Sequence, residues 1–113
     1  MRLALRLADL TPSRQALVRL CQAIDYGQIL DLQVRDGEPV FNPEPTLLLD
    51  IKLDAGCEGR SESKLADFTL CDEVCRLLDR LDEMRSGRVQ RIEVRAGIPR
   101  RALIEAKLTV AKR

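Results

Sequence analysis

Four cysteines are the first residues in this chain with chemistry to offer. Cys71-x-x-x-Cys75 sets two thiols one helical turn apart, the spacing of half a zinc site, with Cys21 and Cys57 as the conceivable remaining ligands. The 113 residues include no histidine, so a tetrahedral site would need all four thiolates. Cys21 falls on the apolar stripe of a helical stretch and Cys57 in a polar, glycine-bearing connection, which speaks against that convergence. Cys71 lies near a helix start, where a thiol pKa can be lowered, but no histidine or other base accompanies it. Asp79, Asp82 and Glu83 could be imagined as an acid/base or metal cluster. They alternate with Arg76, Arg80 and Arg85, which is the pattern of a solvated, salt-bridged helix face. No phosphate-binding loop, dinucleotide fingerprint, nucleophile elbow or paired-histidine zinc motif is present. The residues therefore read as non-enzymatic, with no catalytic residue, metal or cofactor assigned.

Charge gives the one partner-specific signal. Residues 1–60 carry seven basic and nine acidic side chains, whereas 84–113 carry nine basic and two acidic, a local +7 in a chain of net +1. Arg91, Arg95, Arg101 and Lys107 share the outward parity of the last two strands, and with Arg88 they form the candidate partner-binding set. One reading is self-association, the basic second half of one subunit meeting the acidic first half of another, helped by exposed Leu48 and Leu103. The alternative is a nucleic-acid-associated regulator using the same face. Against that alternative, three aromatics in all, Tyr26, Phe41 and Phe68, provide no stacking platform, and no helix carries a basic run suited to a major groove.

The totals bound the class of molecule. A chain of this length is one domain's worth and needs no staples. Four cysteines in such a chain read as reduced thiols rather than a disulfide framework. Arg6 and Asp9 interrupt the leucines at the start before a signal-peptide core forms, and no apolar run approaches membrane-spanning length. The expectation is a cytoplasmic protein with no membrane and no small-molecule substrate.

Hydrophobic periodicity sets the elements that would position these residues. Residues 2–8 alternate as a strand. Thr11-Pro12 caps and opens a helix running to about Asp25, with Leu17, Leu20, Cys21 and Ile24 on one stripe. Gly27 suits a left-handed residue just past it. In the strand Ile29–Arg35, Leu30, Leu32 and Val34 share one face. Asp36-Gly37 and Ala96-Gly97 read as a type I turn closed by a glycine bulge, because alanine resists the positive φ of a type I′ turn. Pro39 and Pro99 belong at strand starts or edges. Residues 46–53 form a strand after the detour through Asn42-Pro43-Glu44-Pro45, and residues 54–64 an exposed connection. Thr69 caps a second helix with the stripe Cys71, Val74, Leu77, Leu78, Leu81 and Met84, ended by Gly87, and strands 89–95 and 101–110 follow.

The two halves match. With residues 10–41 laid on 70–101, Leu10/Leu70, Leu17/Leu77, Gly27/Gly87, Val34/Val94, Arg35/Arg95, Gly37/Gly97 and Pro39/Pro99 are identical, where composition alone would give roughly two matches. This reads as an internal duplication: repeat 1 over 10–53, repeat 2 over 65–110, in one domain of 1–113. The expected architecture is α+β, βαββαββ, two tandem αββ repeats forming an antiparallel sheet with two helices on one face. At Ile24-Asp-Tyr-Gly-Gln-Ile-Leu-Asp-Leu-Gln-Val-Arg-Asp-Gly-Glu-Pro-Val40 the chain resembles the YezD-like small proteins of bacteria, single units of a helix, a Tyr-Gly and a strand ending in Asp-Gly-x-Pro-Val. The resemblance covers 10–41 well and the second half more loosely, with Ser86 for Tyr26 and Ala96 for Asp36. It implies a fold unit, and a fused pair if such units pair, and carries over no catalytic residue. Together these readings give a non-enzymatic interaction module that forms a homo-oligomer.

Overall fold

Pro12 lacks only a donor that the first turn of a helix cannot use, and Thr11 before it accepts a hydrogen bond from the Arg14 N–H at 3.4 Å. Helix α1 accordingly runs Pro12–Ile24 and buries Leu17, Val18, Cys21 and Ile24. Helix α2, Asp72–Met84, opens with Asp72 and Glu73, which complement the positive end of its dipole, and buries Val74, Leu77, Leu78 and Leu81. Its N-cap is Cys71, not Thr69. Thr69 lies two residues earlier, in a bridge to Arg6, so the two helices correspond at a spacing of 60 along their whole length. The computed structural model describes residues 5–53 and 67–105.

Neither helix ends on its glycine. Asp25 (φ 65°, ψ −63°) and Arg85 (φ 63°, ψ −71°) each centre a tight turn closed by a bond across three residues, Tyr26 N–H to the Ile24 carbonyl and Ser86 N–H to the Met84 carbonyl, both 2.7 Å. This is the γ-turn with positive φ, a strained conformation costing roughly 1–3 kcal/mol at a residue other than glycine. What it achieves is directional. The Asp25 carbonyl accepts from the Gly97 N–H at 2.8 Å and the Arg85 carbonyl accepts from the Gly37 N–H at 2.6 Å. Each helix end thereby clasps the hairpin turn of the other half.

Those turns correct the sequence expectation. Strand β1, Gly27–Arg35, is followed by β2, Glu38–Val40, with Arg35 opposite Glu38, and β4, Gly87–Arg95, by β5, Ile98–Ile104, with Arg95 opposite Ile98. Two residues remain to make each turn, and both take positive φ: Asp36 53° and Gly37 78°, Ala96 54° and Gly97 76°. This is type I′, whose twist matches the strands. Ala96 accepts a cost of roughly 1 kcal/mol, offset by the Gly97 bond to Asp25.

The sheet has five antiparallel strands. Its main order is β2-β1-β4-β5, and β3, Thr46–Leu49, pairs β1 beside β2 on the same edge. At its centre β1 and β4 run in one register from Gly27 opposite Val94 to Val34 opposite Gly87, so residues 60 apart exchange places across the pair. The alternation predicted for β1 is broken: Asp31 takes φ 61°, and the buried residues are Ile29, Leu32 and Val34, with Leu30 half-exposed on the other side. In β4 they are Val89, Ile92 and Val94. The strand predicted over 46–53 ends at Leu49, and β5 begins before the predicted 101 and ends at Ile104. Pro39 and Pro99 both sit in edge strands as expected.

Over residues 5–8, the described part of the first predicted strand, only a single bridge is formed. Residues 2–4 lie outside the described residues, and Arg6 makes a single antiparallel bridge to Thr69 before a 3₁₀ turn over Leu7–Asp9. Leu7 N–H donates to the Phe68 carbonyl and Leu70 N–H to the Leu5 carbonyl, so the two segments that lead into the helices hold each other. One core results, uniting both helices with one face of the sheet. Among the described residues the fold is α+β, with two α-helices and a five-stranded antiparallel sheet, and no helix is long and apolar enough to cross a membrane.

Candidate functional site

The predicted basic set is divided by the structure. Arg88 is tied to Asp31 at 3.5 Å and to Glu105 at 3.4 Å, one carboxylate from the neighbouring strand and one from the chain just past β5. Arg91 stands on the outward sheet face between Leu30 of β1 and Leu103 of β5. Arg101 lies opposite Glu93, and Arg95 is exposed at the strand end beside the turn. Lys107 and the predicted continuation of the last strand to residue 110 lie outside the described residues, as do Cys57 and the connection 54–64. The outward face is thus a mixture of leucine, arginine and glutamate rather than a uniform cationic surface. Its expected leucines are there: Leu48 is 48% exposed and Leu103 also 48%.

The thiols and carboxylates form no reactive centre among the described residues. Cys21 is fully buried under α1, and burial first, then the neighbouring Cys71, pushes its pKa up to about 12. Cys71 is also raised, chiefly by burial, contrary to the lowered value that a helix start suggests, because it gives up more hydration than the cap geometry returns. Both are thiols at neutral pH, and thiols are poor nucleophiles and poor ligands. No group of three or more metal-ligating side chains converges among the described residues. Asp82 pairs with Arg14 of α1, and Glu83 with Arg80 at 3.1 Å. The polar face of α2 is the salt-bridged surface the sequence indicates, with Asp82 serving to join the two helices.

The feature that stands out is the edge strand β3. Leu47, Leu48 and Leu49 are 40%, 48% and 55% exposed, and the chain continues with Ile51 at 65% and Leu53 at 93%. Sequence reasoning took residues 46–53 as a strand with one buried face, and singled out only Leu48. Both faces are open instead: Leu47 lies opposite the buried Ile29, yet among the described residues no helix covers it. Tyr26, 47% exposed, extends the surface. A shallow depression of about 430 Å³ joins Tyr26, Leu48 and Leu49 to Glu93 and Arg95. The signal was available in the unbroken Leu47-Leu48-Leu49 run, which a one-sided strand has no use for. No family model, curated protein or solved structure matches this chain.

Proposed function

We propose that this chain is a non-enzymatic interaction module that self-associates through the β3 edge, its two halves being fused units of the YezD-like type. The observation carrying the reading is the exposed run Leu47, Leu48 and Leu49 along a strand whose outer edge has no partner strand among the described residues, followed past the strand's end by exposed Ile51 and Leu53 alternating with Asp50 and Lys52. Unpaired backbone and exposed leucine together make the surface that sheet proteins ordinarily suppress with charge or proline. Two copies meeting antiparallel at β3 about a twofold axis would continue the sheet and give each leucine a counterpart. A half-exposed leucine buried in this way contributes roughly 1 kcal/mol. This contact is apolar, which replaces the acid-against-base pairing that charge asymmetry alone suggests.

Arg91, Arg95 and Arg101 favour a second reading, a nucleic-acid-associated regulator. All three are exposed and have no carboxylate within ion-pair distance among the described residues. Sedimentation velocity separates the two. Self-association predicts a dimer that persists or tightens in high salt and becomes monomeric in Leu48→Lys/Leu49→Lys. A monomeric wild type that shifts duplex DNA in a salt-sensitive manner, lost in Arg91→Gln/Arg95→Gln, would replace the first reading by the second.

A further inference from the structure

At the opposite edge of the sheet, β5 and α2 enclose an open groove of about 240 Å³. Its floor is apolar, formed by Leu77, Pro99 and Ala102, and four arginines line it: Arg76, Arg80, Arg100 and Arg101. Glu73 is the one carboxylate in the lining, held by Arg100 at 2.8 Å. Arg80 reaches Glu83, but both side chains are about two-thirds exposed, and such a pair is weak and screened. Arg76 and Arg101 have no carboxylate within ion-pair distance among the described residues. Four guanidiniums thus line a groove whose own lining holds a single carboxylate, Glu73.

The first half shows what the fold does require. The residues 60 positions earlier are Ala16, Leu20, Val40 and Phe41, and there Leu20 and Phe41 pack against the core. On the helix the comparison is direct, an apolar Leu20 standing where the second half has Arg80; on the strand a register shift between Glu93 and Val94 leaves Arg100 without a partner on β4, so that the groove's arginines depart from the apolar filling of the first half. The strands differ too. After β2 the chain leaves the edge at Phe41 and returns as β3, whereas β5 runs on to Ile104 through two register shifts against β4 and is the last strand of the sheet among the described residues. Its outer backbone groups therefore have no strand partner among the described residues.

We propose that the α2–β5 groove docks an extended acidic peptide segment of another protein, added as a further strand along β5. In an added strand, alternate side chains point to the helix side, about 6.7 Å apart. Carboxylates at those positions meet Arg76, Arg80 and Arg100 over the apolar floor, and the main chain supplies the bonds that β5 offers. Charge complementarity selects the acidic peptide. An oligonucleotide would satisfy the arginines but not the strand edge, and the groove has no aromatic side chain on which a base could stack. The site does not depend on self-association, since β3 is at the other edge.

The test is fluorescence anisotropy of the full chain with a short labelled peptide alternating glutamate and valine. Saturable binding is expected, weakened about tenfold or more by high salt and again about tenfold by Arg76→Gln/Arg80→Gln. Arg91→Gln, outside the groove, should leave binding unchanged, as should Leu48→Lys/Leu49→Lys, which separates this site from the dimer edge. A lysine–valine peptide should not bind, and N-methylation of alternate amides should abolish binding by the acidic one. Equal binding of the lysine peptide, indifference to N-methylation, or full affinity in a normally folded Arg76→Gln/Arg80→Gln variant would overturn the proposal. So would a single-stranded oligonucleotide that binds as tightly as the acidic peptide.

Discussion

A methyl group at position 27 would lie 2.1 Å from the Leu48 carbonyl oxygen and 2.9 Å from Ile24 Cγ2, while one at position 87 would meet only the mobile Met84 Cε at 3.0 Å. The two glycines share nearly the same backbone, φ 159° and 155°, so their difference lies in what approaches them. Among the described residues β3 has no counterpart in the second half, and it pairs with β1 at Gly27, opposite Leu49. Both substitutions carry the strain of a backbone that favours glycine, so Gly87→Ala should cost roughly 1–3 kcal/mol and Gly27→Ala more than that, roughly 3 kcal/mol or above, because backbone must also move. Urea denaturation of the two variants checks the order, and equal losses would show that the β3 contact contributes nothing. The sequence marks both glycines as punctuation but not their unequal burden. It also hides the positive φ of Asp25, Arg85 and Ala96, since these conformations are held by tertiary bonds at the two clasps and local propensity argues against them.

At the scale of the element, the start of α1 is tied to β2 by a single carboxylate. Thr11 and Ser13 both donate hydroxyl hydrogen bonds to Glu38 Oε1, and Arg14 Nε lies 3.7 Å from Oε2. The Ser13 bond is the largest cause holding the Glu38 pKa below its ordinary 4.5, followed by that of Thr11. A carboxyl whose folded pKa is depressed contributes stability above its unfolded value and loses it as pH falls through the folded one. Stability should therefore decline from about pH 4.5 downward, and Ser13→Ala should flatten that decline. The effect is about half a kcal/mol, since the Glu38 side chain is 36% exposed and partly screened. Acid titration of the unfolding midpoint for both proteins checks it, and identical acid limbs would dissociate Ser13 from the effect. Helix periods, the Thr11 cap and the edge prolines were legible because each follows from local chemistry. The single bridge at Arg6 in place of a strand over residues 5–8 and the short β3 were not, because an alternating pattern states which faces are apolar but not whether a partner strand or covering helix is near. Arg76 and Arg80 of the groove read in the sequence as part of a salt-bridged helix face for the same reason: they meet Arg100 only once β5 is placed beside α2.

Across the whole molecule, the core is shared evenly. Leu7, Leu17, Val18, Cys21, Ile24, Ile29, Leu32 and Val34 come from the first half, and Leu70, Val74, Leu77, Leu78, Leu81, Val89, Ile92 and Val94 from the second. They form one cluster. The central pairing β1–β4 joins the halves, and so do the two clasps from helix end to hairpin turn and the Arg14–Asp82 ion pair. A half on its own would expose the inner strand that its partner covers, together with most of its apolar stripe, and a core this small leaves no surplus to offset that. Fragments 1–60 and 61–113 should therefore each lack a cooperative thermal transition, and on mixing should regain one, eluting together on gel filtration with a midpoint that rises with concentration. The pairing should be lost when Ile92→Asp places a charge in the shared sheet face opposite Ile29. A fragment that melts cooperatively as a monomer would mean that the halves are separate domains, and the reciprocal clasps would then be contacts between them rather than parts of one fold.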